Sequence, residues 1–261
     1  MMLPRRIVLS LAFAVCVPAL FLSGCADIPN TPAEKAEYDA TNDPLEPMNR
    51  TIFDVNDFLD RLLFRPLAEL YRVTIPPGIR DRIAGVVTNM KEPVIFANNL
   101  MQGEVSRAGL TAERFALNTT IGVGGMWDVA GMWRGVYQQT GDFGQTLSVW
   151  GAGPGPYLVI PFYGPSNIRD AIGLGVDGVM SPWQYVVAAT GAGHVIQNEY
   201  YIASFAGDGI VRREQNIEAL DALRAGSLDF YAQMRSVFRQ YRDKQLGNQS
   251  TEGMPKFEDY Q

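Results

Sequence analysis

Three places in the chain carry residue types whose spacing can do chemistry. The first is Leu22-Ser23-Gly24-Cys25, closing an apolar run from Ile7 to Leu22 that follows the basic pair Arg5 and Arg6. At about 16 residues the run is shorter than the ~20 of a spanning helix, but it suits the hydrophobic region of an export signal. Leu22 to Cys25 resembles the bacterial lipobox. In that chemistry the Cys25 thiol takes a diacylglycerol, a peptidase cuts just before it, and the new amine is acylated. The alternative is an ordinary secretion signal with a chance cysteine. The second place is His194, the one histidine, within Gly191-Ala192-Gly193-His194. A lone His without Cys cannot build a typical zinc site, which takes several N or S ligands. No G-x-S-x-G elbow accompanies it, so it reads as a structural residue. The third is Gly173-Leu174-Gly175-Val176-Asp177-Gly178, a G-x-G-x-x-G match. A dinucleotide site needs a strand before this motif and a helix after it. Here Met180-Ser181-Pro182 follows, no βαβ pattern surrounds the match, and no G-K-[ST] occurs anywhere. Neither a catalytic residue nor a metal is expected, and no cofactor beyond the covalent lipid on Cys25. Directional work would have to draw on a gradient of affinity or on partners.

Stepping along the chain, residues 1–24 read as the signal. Their removal leaves about 237 residues with a formal charge near −8, enough for one large domain or two small ones. An acidic chain is a poor nucleic-acid binder and gains no general attraction to anionic lipids. Residues 25–42 are polar, contain two Pro and read as a lipidated leash, which as a flexible coil spans roughly 23 Å. Ala26, not Asp, follows Cys25, which favours delivery to the outer membrane in envelopes of the enterobacterial kind. Residues 247–261 read as a disordered tail. Between them, residues 43–246 form one all-α domain. Asp43-Pro44-Leu45-Glu46 offers an N-cap, a Pro in the first turn and a Glu three residues on. Ile52, Val55, Leu59, Leu62 and Leu63 follow a helical period that Pro66 should end. Phe53, Phe58 and Leu59 are expected to pack that helix into the core or against lipid tails. Pro77 opens a helix with Ile79, Ile83, Val86, Val87 and Met90 on one face, and further helices run over 104–120 and 227–246. No period-2 alternation long enough for a sheet appears.

The middle of the chain differs in composition. From Gly135 to Asn198 the only charged residues are Asp142, Arg169, Asp170 and Asp177, and this stretch holds 12 of the 26 Gly. Low charge suits a place where charge is costly, but a buried core helix would not carry so many Gly. The segment therefore reads as contacting membrane, by short or broken helices packed on each other, because no stretch is long enough to span.

Several strings together resemble the MlaA (VacJ) family of outer-membrane lipoproteins. They are 43–50 (DPLEPMNR), 64–68 (FRPLA), Glu92-Pro93, 99–103 (NLMQG), 114–122 (RFALNTTIG), 125–130 (GMWDVA), 143–147 (FGQTL), 151–164 and Arg169-Asp170. Met48 departs from the aromatic usual at its position, and beyond about Ser181 the likeness weakens. The resemblance implies a ring-like helical domain in the inner leaflet of the outer membrane of a Gram-negative bacterium, exposed to the periplasm. It implies association with a trimeric porin and a central amphipathic passage. Misplaced glycerophospholipids would leave the outer leaflet by that passage and go to a periplasmic carrier, MlaC, so maintaining lipid asymmetry. The Gly-rich stretch with Gly151, Gly153, Gly155 and Tyr157 falls on the family's hairpin beside the passage, as either a mobile gate or a rigid turn. For Arg169, contact with a lipid phosphate and a salt bridge stabilising a turn both stand open. Two other functions compete: a non-catalytic scaffold for envelope proteins, and a lipid hydrolase using His194.

Overall fold

Asp43-Pro44-Leu45-Glu46 does start a helix, with the Glu46 N–H on the Asp43 carbonyl at 3.2 Å. Helix α1 spans Glu46–Leu59, and Pro47 falls in its first turn, where a missing N–H costs nothing. The computed structural model describes residues 42–189 and 206–247; the signal, Cys25, the leash up to 41, His194 and the tail from 248 lie outside the described residues. Among the described residues the chain is mostly helical, with one β-hairpin. They fall into two compact units: 42–58 with 154–168, and 59–153 with 169–189 and 206–247.

In the first unit α1 faces the antiparallel strands β1 (Tyr157–Ile160) and β2 (Gly164–Asn167), paired from Tyr157↔Asn167 to Ile160↔Gly164. These strands were not legible as alternation because each has four residues, and Gly-Pro-Ser-Asn contains no strong β-former. Side chains of α1 hold them instead. Asn56 donates to the Ile160 carbonyl (3.0 Å) and accepts the Phe162 N–H (2.8 Å), bracketing a turn in which Phe162 and Gly164 take φ of +64° and +105°. Asn49 does the same for the strand itself. It donates to the Tyr157 carbonyl (3.1 Å) and to Asp43 (2.8 Å), and accepts the Val159 N–H (2.9 Å).

The second unit starts with a correction. Pro66 does not end the first helical stretch. A π turn, Asp60–Phe64, is followed by α2 (Arg65–Thr74), with Pro66 in its first turn. The wider turn, in which the Arg65 N–H reaches the Asp60 carbonyl, shifts the bonding register ahead of the proline ring. The other helices are α3 (Pro77–Asn89), α4 (Glu92–Met101), α5 (Val105–Thr120), α6 (Val129–Arg134), α7 (Phe143–Val149), α8 (Ile168–Met180), α9 (Pro182–Ala189), α10 (206–215), α11 (Ile217–Gly226) and α12 (Phe230–Gly247). Helix α4 packs along α5, α3 and α6 also meet α5, α7 lies on α4, and α11 meets α12. The glycines of the G-x-G-x-x-G match lie inside α8, not at a helix start where a pyrophosphate would sit. Gly173 has a packing role: a Cβ there would stand 2.4 Å from the Gly144 nitrogen.

Candidate functional site

Among the described residues an unusual share of the buried side chains is polar, beside an apolar core that includes Phe53, Ile95, Tyr157, Val159, Val211 and Tyr231. Polar residues are ordinarily outside and large aliphatics inside. Here the largest fully buried side chains include Gln145, Glu92, Asn49, Asn98, Asn99 and Thr111, with Val159 the only apolar one among them. Outward stand Val73 (85% exposed), Trp133 (66%), Leu62 (63%) and Phe162 (62%), with Leu63, Leu70, Ile79 and Ile172 also exposed. On α1, Phe53 is buried whereas Phe58 is exposed, so that helix is not simply core-packed. Within the second unit, Leu62, Leu63, Leu70 and Val73 stand exposed along one short stretch of helix, the kind of apolar surface that ordinarily meets something other than water. No helix among the described residues is long and apolar enough to cross a membrane.

Many of the buried polar groups are hydrogen-bonded to one another between helices, which is what burial demands of them. Thr146 donates to Asn98 (2.8 Å) and accepts from Gln102 (3.0 Å), joining α7 to α4. Asn98 also donates to Asp177 on α8 (2.8 Å). Asn99 donates to Thr111 on α5 (3.3 Å). Asn118 donates to Asp128 (3.0 Å) and accepts the Ala130 N–H (2.9 Å), tying α5 to the start of α6. Between α4 and α5, Arg114 donates to Glu92 (3.1 Å), both buried. Burial pushes the Glu92 carboxyl up against the opposing pull of Arg114. Asp128 feels the same desolvation, but Asn118, the Gly131 N–H and Arg114 together hold it below the usual carboxylate range. Asn49, Glu92, Asn99, Gln102, Arg114, Asn118, Gln145 and Thr146 all come from the strings that carry the family resemblance. Those strings are therefore the buried polar framework, not surface decoration.

The charge-poor stretch keeps its few charges engaged. Arg169 is buried and pairs with Asp170 (3.0 Å), while its Nη2 is buried without a hydrogen-bond partner. Asp170 is desolvated, yet Arg242 and Arg169 hold its carboxyl low. Arg242, on α12, also pairs with Asp142 (2.6 Å). Asp177 accepts the Phe143 N–H (3.0 Å) at the start of α7, and burial pushes its carboxyl up to about 6. Within the last helix no local pattern singles out Arg242. Its partners lie 100 and 72 positions away, beyond the reach of any local pattern. The mid-helix Asn and Thr residues did carry a local signal, being poor helix formers set among apolar neighbours.

The Gly-rich residues have distinct environments. Gly151 and Gly153 are exposed, with open space where a Cβ would project; Gly151 takes a φ of +93°, which favours glycine. Just before them, Trp150 is edge-on to Phe143 (5.7 Å) and donates to the Met101 carbonyl (3.1 Å). Gly155 belongs to the first unit, where a Cβ would meet Ile168 at 3.1 Å. Tyr157 is buried in β1, its N–H on the Asn42 carbonyl (2.8 Å). Elsewhere in the second unit the apolar stripe of α3 borders an open surface depression of about 380 Å³, lined by Ile79, Ile83, Val86, Val87, Met126 and Arg82. That volume lies in the range of small-molecule pockets. At its edge the Arg82 guanidinium stands 5.0 Å over the Trp127 ring.

With this geometry established, comparison with known proteins is direct. A family model described as MlaA lipoprotein matches residues 41–245. The intermembrane phospholipid transport system lipoprotein MlaA of Escherichia coli (strain K12) is 31% identical over 233 residues, covering 88% of this chain and 86% of that one. The protein of the same name from Haemophilus influenzae is 36% identical over 173 residues, covering 64% and 67%. A solved structure described as concerning the structural basis for maintenance of bacterial outer membrane lipid asymmetry superposes with a TM-score of 0.66 at 33% identity. It spans 78% of this chain and 98% of its own.

Proposed function

The chain belongs to the MlaA lipoprotein family, and from that premise we propose that it moves glycerophospholipid out of the outer leaflet of a Gram-negative outer membrane. It passes that lipid to a periplasmic carrier and so maintains lipid asymmetry, without catalysing a reaction. The observation that carries this reading is the pairing of many buried, hydrogen-bonded polar groups with many exposed large apolar side chains. Such a protein is at home among acyl chains, where exposed Leu, Val and Trp cost nothing and polar groups are best kept inside with hydrogen-bond partners.

In this reading Cys25 carries the covalent lipid that delivers and tethers the chain, and its apolar faces seat it in the inner leaflet beside a trimeric porin. Two or more acyl chains suffice for stable anchoring, and the apolar surface adds to that. A passage for phospholipid needs polar walls for the headgroup and apolar walls for the tails. The stretch with Gly151, Gly153, Gly155 and Tyr157 borders it, the α3 depression is suited to an acyl chain, and the spare donor at Arg169 Nη2 is suited to a phosphate oxygen. The carrier is a protein of the MlaC kind.

The test is to purify the lipidated protein in mild detergent and measure co-purified phospholipid by mass spectrometry. Stoichiometric glycerophospholipid is the expected result. Absence of lipid with envelope proteins retained would replace this reading by a scaffold. A phospholipid-cleaving activity abolished by His194→Ala would replace it by a hydrolase.

A further inference from the structure

Arg242 makes more bonds than an ion pair requires. Its Nε donates to Asp170 Oδ2 (2.8 Å), and its Nη2 donates to Asp170 Oδ1 (2.9 Å) and Asp142 Oδ1 (2.6 Å). Its Nη1 donates to Asp142 Oδ2 (2.6 Å) and Gln245 Oε1 (2.9 Å). A guanidinium has five N–H donors, and all are used. Each carboxylate is held by a two-pronged fork, the strong form of charged hydrogen bonding. Asp142 is the N-cap of α7, accepting the Gln145 N–H (2.9 Å), and Asp170 lies in the first turn of α8. Between these two aspartates runs the whole of α7, the Gly-rich turn and the β-hairpin. One side chain of the C-terminal helix thus closes a loop of chain at its base.

The surroundings are built to fit the clamp. A Cβ on Gly144 would stand 2.5 Å from Asp170 Oδ1 and 2.6 Å from Arg242 Nη2. Gly173 lets α8 approach the Gly144 backbone equally closely. The groups facing the clamp are Arg169, paired with Asp170, and Asp177, which receives the Phe143 N–H beside Asp142.

We propose that Arg242 is a positioning residue for lipid passage: by pinning Asp142 to Asp170 it fixes the starts of α7 and α8, and through α7 the Gly-rich turn at 151–153. This rests on the reading of that turn as bordering the passage. Lysine can replace it only in part, since three donors on a point charge cannot fork onto two carboxylates.

Hydrogen exchange followed by mass spectrometry on the full lipidated protein in mild detergent tests the clamp, with co-purified phospholipid measured on the same samples. Arg242→Ala should speed exchange in residues 143–156 and in the first turns of α8 by roughly tenfold or more, while α4 and α5 keep their protection. Arg242→Lys should fall between, and phospholipid per protein should drop with the loss of protection. A merely stabilising role would instead lower protection in α4 and α5 as much as in α7. Should Arg242→Ala fail to fold, Asp142→Asn decides, because Asn still caps α7 but surrenders its charge to the clamp. Unchanged exchange over 143–156 in Asp142→Asn, or a uniform loss across all helices in Arg242→Ala, overturns the proposal. If the unsubstituted protein carries no phospholipid, the passage reading fails, and the exchange comparison still decides whether Arg242 positions the segment.

Discussion

Asn49 offers the sharpest test of a polar interior, because all three of its buried bonds serve another part of the first unit. Replacing it with Ala removes the acceptor of the Val159 N–H and the donor to the Tyr157 carbonyl, and it strips Asp43 of a partner. A buried group left without its bond costs about 1–3 kcal/mol, so three of them set an upper range of about 3–9 kcal/mol, and with partial relaxation the total loss should be roughly 3–5 kcal/mol. Against a total stability of about 5–15 kcal/mol that is a large fraction. For a chain of this length it corresponds to a fall of roughly 6–20 °C in Tm. The companion variant is Asn49→Asp, nearly identical in shape. It keeps an acceptor for Val159 but sets a second carboxylate against Asp43 where an amide now donates at 2.8 Å. It should therefore be at least as unstable as Asn49→Ala at pH 8 and recover on acidification, when one carboxyl takes a proton and donates to the other. Thermal unfolding in mild detergent, followed by circular dichroism at two pH values, measures both. A loss below about 1 kcal/mol in Asn49→Ala, or an Asn49→Asp protein as stable as the parent at pH 8, would refute the reasoning.

Three further outcomes are expected. Asp177 holds its proton more tightly folded than unfolded, because burial raises its carboxyl to about 6. Its contribution to stability is therefore greatest at low pH and is lost as pH rises from near 4 through about 6; a stability–pH profile of Asp177→Asn should lack that decline. Gly144→Ala and Gly173→Ala force a Cβ to 2.5 Å or less from a neighbouring atom and should each lower stability by about 1–3 kcal/mol, read by thermal unfolding. Gly175→Ala, in the same helix with open space around it, should instead raise stability by up to about 1 kcal/mol. Gly153→Val should leave folding intact, since nothing lies within 4 Å of its Cβ position, yet reduce lipid passage; normal outer-membrane lipid asymmetry at normal protein level would argue against a role for the turn.

Much of the architecture was legible from local pattern. The α3 stripe of Ile79, Ile83, Val86 and Val87 appears as one wall of the depression, and the start of α5 and the course of α12 fall within a few residues of where periodicity puts them. Direction was harder. A helical stripe shows which face differs from the rest, not which medium it meets, so of Phe53 and Phe58 on one helix the first is buried and the second exposed. Pro66 misled because a π turn, unlike an α turn, accommodates it. The family resemblance implied a hairpin, but no local pattern marks its strands, which are held by Asn49 and Asn56 from a helix more than 100 positions earlier. Among the named candidate residues, Gly151 and Gly153 occupy open surface whereas Tyr157 and Arg169 are buried, a contrast that spacing alone cannot express. Arg242 was hidden for the same reason as the hairpin: its role exists only once distant segments meet.

The polar interior also sets how the fold responds to temperature. Unfolding an ordinary domain exposes apolar area and raises the heat capacity by about 12–15 cal/mol/K per residue, whereas exposure of polar area lowers it. Here unfolding would uncover Asn, Gln, Thr and paired charges, while much of the Leu, Val and Trp surface is already outside. The heat-capacity change per residue should therefore lie below that range, and the stability curve should be broad and shallow. Such a molecule would keep nearly constant stability over a wide span of temperature, with its cold-denaturation limit pushed far down.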